Sequence, residues 1–217
     1  MSIFSADYLQ TAERVFHSPN RLYSWNEIIL GTCVRSTTRR ARTMYAVAQN
    51  TFRGFHRSNK DRPGAKEAFM SYFVESRAVL VKSLGSVHDR PGIHQLANRI
   101  STQLRSRLTN VIPQQLASYN KIRKPVDLYL EHLIAMAHEV SHLRKRLIPL
   151  LFLPLDSQIL QEPELFTEQE LKSQRLRRKS TYAAIKSEST YQHLQELLEV
   201  KARIISSRLQ RPFVPID

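Results

Sequence analysis

Apolar residues recur at helical spacing along most of this chain, and clusters of Pro, Gly, Asn, Asp and Ser separate the stretches. Ser5 is placed to cap a first helix carrying Tyr8, Leu9, Ala12, Val15 and Phe16, closed by Ser18-Pro19-Asn20. A second helix is expected from about Leu22, with Trp25, Ile28, Ile29 and Leu30 inward and Gly31 weakening its end. Met44, Val47, Ala48, Thr51, Phe52 and Phe55 then form one stripe, which predicts a helix from about Thr38 to Arg57. The run SNKDRPGA at 58–65 reads as a stop, and Phe69, Tyr72, Phe73, Ala78, Val79 and Val81 predict a helix from about Lys66 to Leu84.

The turn around HDRPG at 88–92 is the best internal boundary. Beyond it, Leu96, Ile100, Leu104 and Leu108 mark a basic helix over Ile93–Val111, and Pro113 and Pro125 punctuate the connection that follows. Leu130, Leu133, Ala137, Val140 and Leu147 mark another helix from Val126 to Leu147. LIPLLFLPL at 147–155 is broken by Pro149 and Pro154 and reads as an extended buried segment, too short to cross a membrane. Thr167 and Glu170 have capping-box spacing at the head of a basic helix. A last helix, about Thr190 to Leu209, turns Leu194, Leu197, Leu198, Ile204, Ile205 and Leu209 inward and carries a Glu199–Arg203 pair in the favourable order.

Composition narrows the classes. Five Gly, none after Gly92, make a poor supply for hairpins, a Rossmann fold or a P-loop, so the expectation is all-α. The only cysteine, Cys33, excludes an intrachain disulfide and a multi-Cys zinc site, and is expected as a small buried hydrophobe. The net charge of +14 implies an anionic partner: nucleic acid, a membrane surface or an acidic protein. From Ile28 to Lys60 there are seven Arg and Lys and no Asp or Glu, so the stripe of the predicted 38–57 helix is framed by positive charge. That surface suits a partner that is both anionic and apolar.

Leu22-Tyr23, the stretch TMYAVAQNTFRGFHRSNKD at 43–61 and EAFMSYFVESRAVLVKSL at 67–84 together resemble the LYR family of small mitochondrial helical proteins. Ser24 stands where that motif has Arg, with Arg21 one residue before Leu22. The resemblance implies a three-helix unit over 21–88, preceded by an N-terminal helix or arm at 1–20 and followed by a helical extension at 89–217 that docks to partner subunits. It implies a non-catalytic accessory subunit on the matrix side of the mitochondrial inner membrane, scaffolding respiratory complex I, with ATP synthase, the mitoribosome and iron–sulfur assembly as the other homes within the family. The implied partner is an acidic acyl carrier protein, whose 4′-phosphopantetheine arm brings an acyl chain; the chain needs no cofactor of its own. Charge-assisted contacts to carrier and phosphate fall to Tyr23, Arg39, Arg40, Arg42, Arg53 and Arg57. Met44, Val47, Phe52, Phe55, Phe69 and Phe73 would line the acyl tunnel, where each buried methylene contributes about 0.8 kcal/mol. The plain alternative is a solvated basic face over an aromatic core.

Two further readings compete. His138-Glu139-Val140-Ser141-His142 matches the HExxH zinc-peptidase motif, in which an α-helix sets both imidazoles on one face and the Glu acts as general base. Its third ligand has no fixed position; Glu162, Glu164, Glu168 and His193 are the candidates, and Arg144 in the next turn opposes a dication. Basic runs at 35–42, 99–107, 121–124 and 175–179 could meet nucleic-acid phosphates, with no zinc finger or RRM signature beside them.

Overall fold

The computed structural model describes residues 21–35 and 40–209, with side chains through 204. The helix expected over 5–16, and Arg39, lie outside the described residues. The described chain is mostly helical with one small two-stranded sheet.

Helix α1 spans Trp25–Leu30, and Ser24 is its N-cap: the hydroxyl accepts from Glu27 N–H while the Glu27 carboxylate accepts from Ser24 N–H. The residue that departs from the LYR pattern is therefore the one that starts this helix. Gly31, at φ +85°, ends it against strand β2, where a Cβ would lie 2.5 Å from the Met44 carbonyl. Strands β1 (Thr32–Val34) and β2 (Arg42–Met44) pair antiparallel, Cys33 opposite Thr43.

The helix expected from Thr38 to Arg57 is thus not formed. Its described part holds β2, a bend, a 3-10 turn at Gln49–Phe52 and an extended exit. Most of the apolar stripe faces inward all the same: Val47, Thr51, Phe52 and Phe55 are buried and Met44 packs on the core, while Ala48 is exposed. Core-seeking residues at helical spacing were satisfied by a hairpin and a turn, because Thr32, Val34 and Thr43 suit strands and Gly31 and Gly54 break the helix at either end. Cys33, expected inside, is exposed on β1.

The predicted 66–84 helix is two: α2 (Ala65–Glu75) and α3 (Arg77–Gly85), broken at Ser76. Helix α4 (Arg90–Arg107) begins where a loop was expected, since Asp89 caps it through Gly92 N–H and Pro91 sits in its first turn, where a missing N–H costs nothing. Helix α5 (Tyr119–Met136) starts earlier than predicted and carries Pro125 inside. A 3-10 turn at His138–Leu143 and helix α6 (Arg144–Leu147) replace its predicted second half. Leu151, Phe152 and Leu155 are buried in the extended stretch that follows. Short helices α7 (Ser157–Gln161) and α8 (Glu168–Ser173) lead to the long α9 (Glu188–Leu209); the Thr167–Glu170 capping box and the Glu199–Arg203 pair form as read. One hydrophobic core runs from Tyr23 to Leu194 without a break at 88–89. No helix among the described residues is long and apolar enough to cross a membrane.

Candidate functional site

Among the places where the described residues gather polar side chains are a basic recess at the surface and a closed cluster in the core. The recess, of 480 Å³, is lined by residues 49, 50, 52, 53, 55, 57 and 64–67. Arg53 and Arg57 are exposed, Lys66 is half-buried, and the one acidic lining residue is Glu67. Phe52 and Phe55 supply the apolar side.

Its walls are tied from three directions. Gly54, at φ +82°, turns the chain so that its carbonyl accepts from Lys121 Nζ at 2.6 Å, and the Tyr182 hydroxyl donates to Arg53 O at 3.1 Å. Arg57 pairs as an isolated antiparallel bridge with Val111. Asn110 holds the 58–63 loop: its Nδ2 donates to the carbonyls of Asn59, Arg62 and Pro63, and its Oδ1 accepts from Ser58 Oγ and Asn59 N–H. Across the recess, Arg57 Nη2 lies 3.6 Å from Glu67, whose carboxylate also accepts from Gly64 N–H. Lys121 is buried among the described residues beside the Phe55 ring, and burial pushes its ammonium pKa down.

Of the residues expected to meet a phosphate, the recess brings together Arg53 and Arg57 and adds Lys66. Arg40 and Arg42 are exposed on the hairpin and do not line it. Tyr23 does not line it either: it is buried, with its backbone bridged to Met136 and His138. The six tunnel candidates divide as well. Phe52 and Phe55 border the recess; Phe69 and Phe73 are fully buried, Phe69 edge-on to Phe52 and Phe73 tilted against Tyr129 at centroid distances of 5.4 and 4.5 Å. These rings fill the core. Lys66, whose ammonium lies over the Tyr45 ring at 3.4 Å, Asn110 and Lys121 were missed in the sequence; Asn110 and Lys121 find partners 47 and 67 residues away, and only the 121–124 basic run hinted at one of them.

The HExxH residues do not form a zinc site. They lie in a 3-10 turn, whose three-residue period puts i and i+4 about 120° apart instead of on one face. His138 and His142 are exposed. Glu139 instead accepts from Trp25 N–H at 3.0 Å, anchoring the first turn of α1, and lies 3.9 Å from Arg77. No group of three or more His, Cys, Asp or Glu able to hold a metal occurs among the described residues.

The core cluster joins α4, α5 and α9. Arg123 is wholly buried: Nε donates to Asp127 at 2.7 Å, and Nη1 to Asn98 Oδ1 and the Tyr119 hydroxyl. The Tyr191 hydroxyl donates to the other Asp127 oxygen at 2.7 Å, and the guanidinium lies over the Tyr191 and Phe152 rings. Burial works against the charge on Arg123, but Asp127 and the two tyrosines outweigh it and hold the guanidinium protonated. Burial pushes the Asp127 carboxyl up, opposed by the Arg123 guanidinium and the Tyr191 hydroxyl. Tyr119 is pushed up to about 12, chiefly by burial.

A scan against protein-family models finds no match, and searches of curated proteins and of solved structures find none either.

Proposed function

We propose that this chain is a non-catalytic helical adaptor that recognises an acidic, phosphate-bearing partner at the 49–67 recess. The observation that carries this is the convergence of Arg53, Arg57 and Lys66 on one concavity, facing a single carboxylate, in a chain of net charge +14. Guanidinium groups at a rim give charge-assisted, bidentate contacts to phosphate oxygens, and the Phe52 and Phe55 side accommodates the apolar part of an ester. The partner implied by the LYR resemblance is an acidic acyl carrier protein, with its pantetheine phosphodiester at the recess and its acidic surface toward Arg40 and Arg42. The acyl chain has no place in this reading, since Phe69 and Phe73 are spent on the core. A home in a large mitochondrial complex, as an accessory subunit on the matrix side, rests on the resemblance at 22–23 and 43–84 and on nothing in the fold.

Native co-purification with intact mass spectrometry tests the reading. The expected result is a stoichiometric acidic partner carrying a phosphopantetheine mass. A chain that instead binds RNA or DNA with a steep salt slope, and retains no such protein, replaces the carrier with a nucleic-acid backbone.

A further inference from the structure

The core cluster has a member whose protonation the geometry opposes. His94 on α4 is buried and touches all three helices of the cluster. Its Nε2 lies 2.7 Å from the Glu188 carboxylate and 3.0 Å from Gln192 Nε2, both on α9, and 3.0 Å from Asn98 Nδ2 on its own helix. Its Nδ1 lies 3.2 Å from Arg123 Nη1 on α5. Arg123 has only donors, so its contact with Nδ1 is a hydrogen bond in the tautomer that puts the ring proton on Nε2, toward Glu188. That tautomer is neutral.

A second proton has one place to go, Nδ1, where it would meet an Arg123 guanidinium already held by Asp127, Asn98 and Tyr119. Arg90, also on α4, adds a second positive charge near the ring. Phe152 and Tyr191 rings flank the imidazole at 5.5 and 6.3 Å and keep water from screening it. Among the described residues, the negative group in contact with it is Glu188; Asp127 is engaged by Arg123 and Tyr191. Burial, then Arg123 and Arg90, lower the His94 pKa against the pull of Glu188.

Helix α9 relies on this junction. Glu188, Tyr191 and Gln192 in its first turns all bond into it, while the later Gln195, Glu199 and Lys201 bond to the 153 backbone, Arg90 and Glu170. We propose that His94 is a pH-sensitive latch, which keeps the first half of α9 docked while neutral and loosens it when the imidazole takes up a proton. Such a device would let an acidifying compartment or an acidic partner's surface change the exposure of the α4–α5 face under α9.

The sign follows from linkage. A histidine held neutral in the docked state and free to protonate when undocked stabilises docking above its ordinary pKa, and the contribution is lost as pH falls through about 6.5. If docking excludes the proton entirely, the opening equilibrium rises about tenfold between pH 7.5 and 5.5. Hydrogen–deuterium exchange of the full-length chain, corrected for intrinsic exchange rates, should show that rise in residues 188–200. His94→Gln, which keeps a polar amide but cannot titrate, should flatten it. Repeating the comparison in a Glu131→Gln background removes the α5 carboxyl that burial pushes up to about 7. An unchanged opening equilibrium in the wild-type chain, or the same pH dependence in His94→Gln, overturns the latch. If His94→Gln does not fold, NMR titration of the wild-type imidazole decides: His94 titrating below the other histidines, in step with α9 opening, supports the latch, and titration at an ordinary value without opening refutes it.

Discussion

Arg57 and Arg123 are the same residue put to opposite uses. Arg57 lies at the rim of the recess, its side chain 41 % exposed, with a carboxylate 3.6 Å away. Arg123 is fully buried, with an aspartate at 2.7 Å and two aromatic rings beside it. In water the first pair contributes little to stability and leaves the guanidinium able to exchange Glu67 for another anion. In the core the second pair fixes three helices, and removing one partner strands the other's charge. Burial, not residue type, decides whether an arginine is available to a partner.

The largest effect should come from breaking the buried pair. Arg123→Ala is expected to destabilise the fold by about 3–5 kcal/mol in urea unfolding, because Asp127 is left buried without its cation. Combining Arg123→Met with Asp127→Leu should recover much of that loss. Additive losses would show that the two residues do not act as a pair.

Glu131 sharpens the same contrast with the opposite sign. Burial, then Asp127, push its carboxyl up to about 7. The folded state therefore holds a proton that the unfolded state releases between the ordinary carboxylate pKa and about 7, and stability falls as pH rises through that window. Glu131→Gln should remove this decline, gaining on the order of 2–3 kcal/mol at pH 8 and little at pH 4.5. A gain independent of pH would contradict the assignment.

Smaller changes belong to caps and turns. Thr167→Ala should cost about 1 kcal/mol by opening the box with Glu170. Gly54→Ala should cost about 1–2 kcal/mol, since φ is +82° there and the new Cβ would lie 3.1 Å from Lys121 Nζ. At the recess itself, Arg57→Ala should change stability by less than about 1 kcal/mol. A larger loss would mean that Arg57, like Arg123, is structural.

These contrasts also mark what the sequence made readable. Local signals carried through: the Thr167–Glu170 box, the stop at 58–65, the extended second half of the 147–155 segment, whose first residues are helical instead, and the Glu199–Arg203 pair. The 38–57 stripe faces inward as read, Ala48 excepted, but is not a helix, because strand-prone Thr and Val and two positive-φ glycines overrode its spacing. HExxH failed for a related reason: a motif fixes residue order, whereas the chemistry depends on whether the backbone is α or 3-10. Half of the recess, Arg53 and Arg57 with Phe52 and Phe55, was visible as a basic, aromatic run. Lys66, Asn110 and Lys121 were not, and neither was the cluster that joins His94, Arg123 and Glu188. Only Arg123–Asp127, four residues apart on one helix, left a local trace.

The central claim is that the 49–67 recess binds an anionic partner while contributing little to the fold. An Arg53→Glu/Arg57→Glu chain, compared with the wild type by calorimetric titration with purified acyl carrier protein, tests it most directly. The expected result is a midpoint of unfolding close to wild type, wild-type binding that requires the phosphopantetheine arm, and at least tenfold weaker binding by the variant, a loss of about 1.4 kcal/mol. Binding that survives both charge reversals, or a wild-type chain indifferent to the arm, would contradict it.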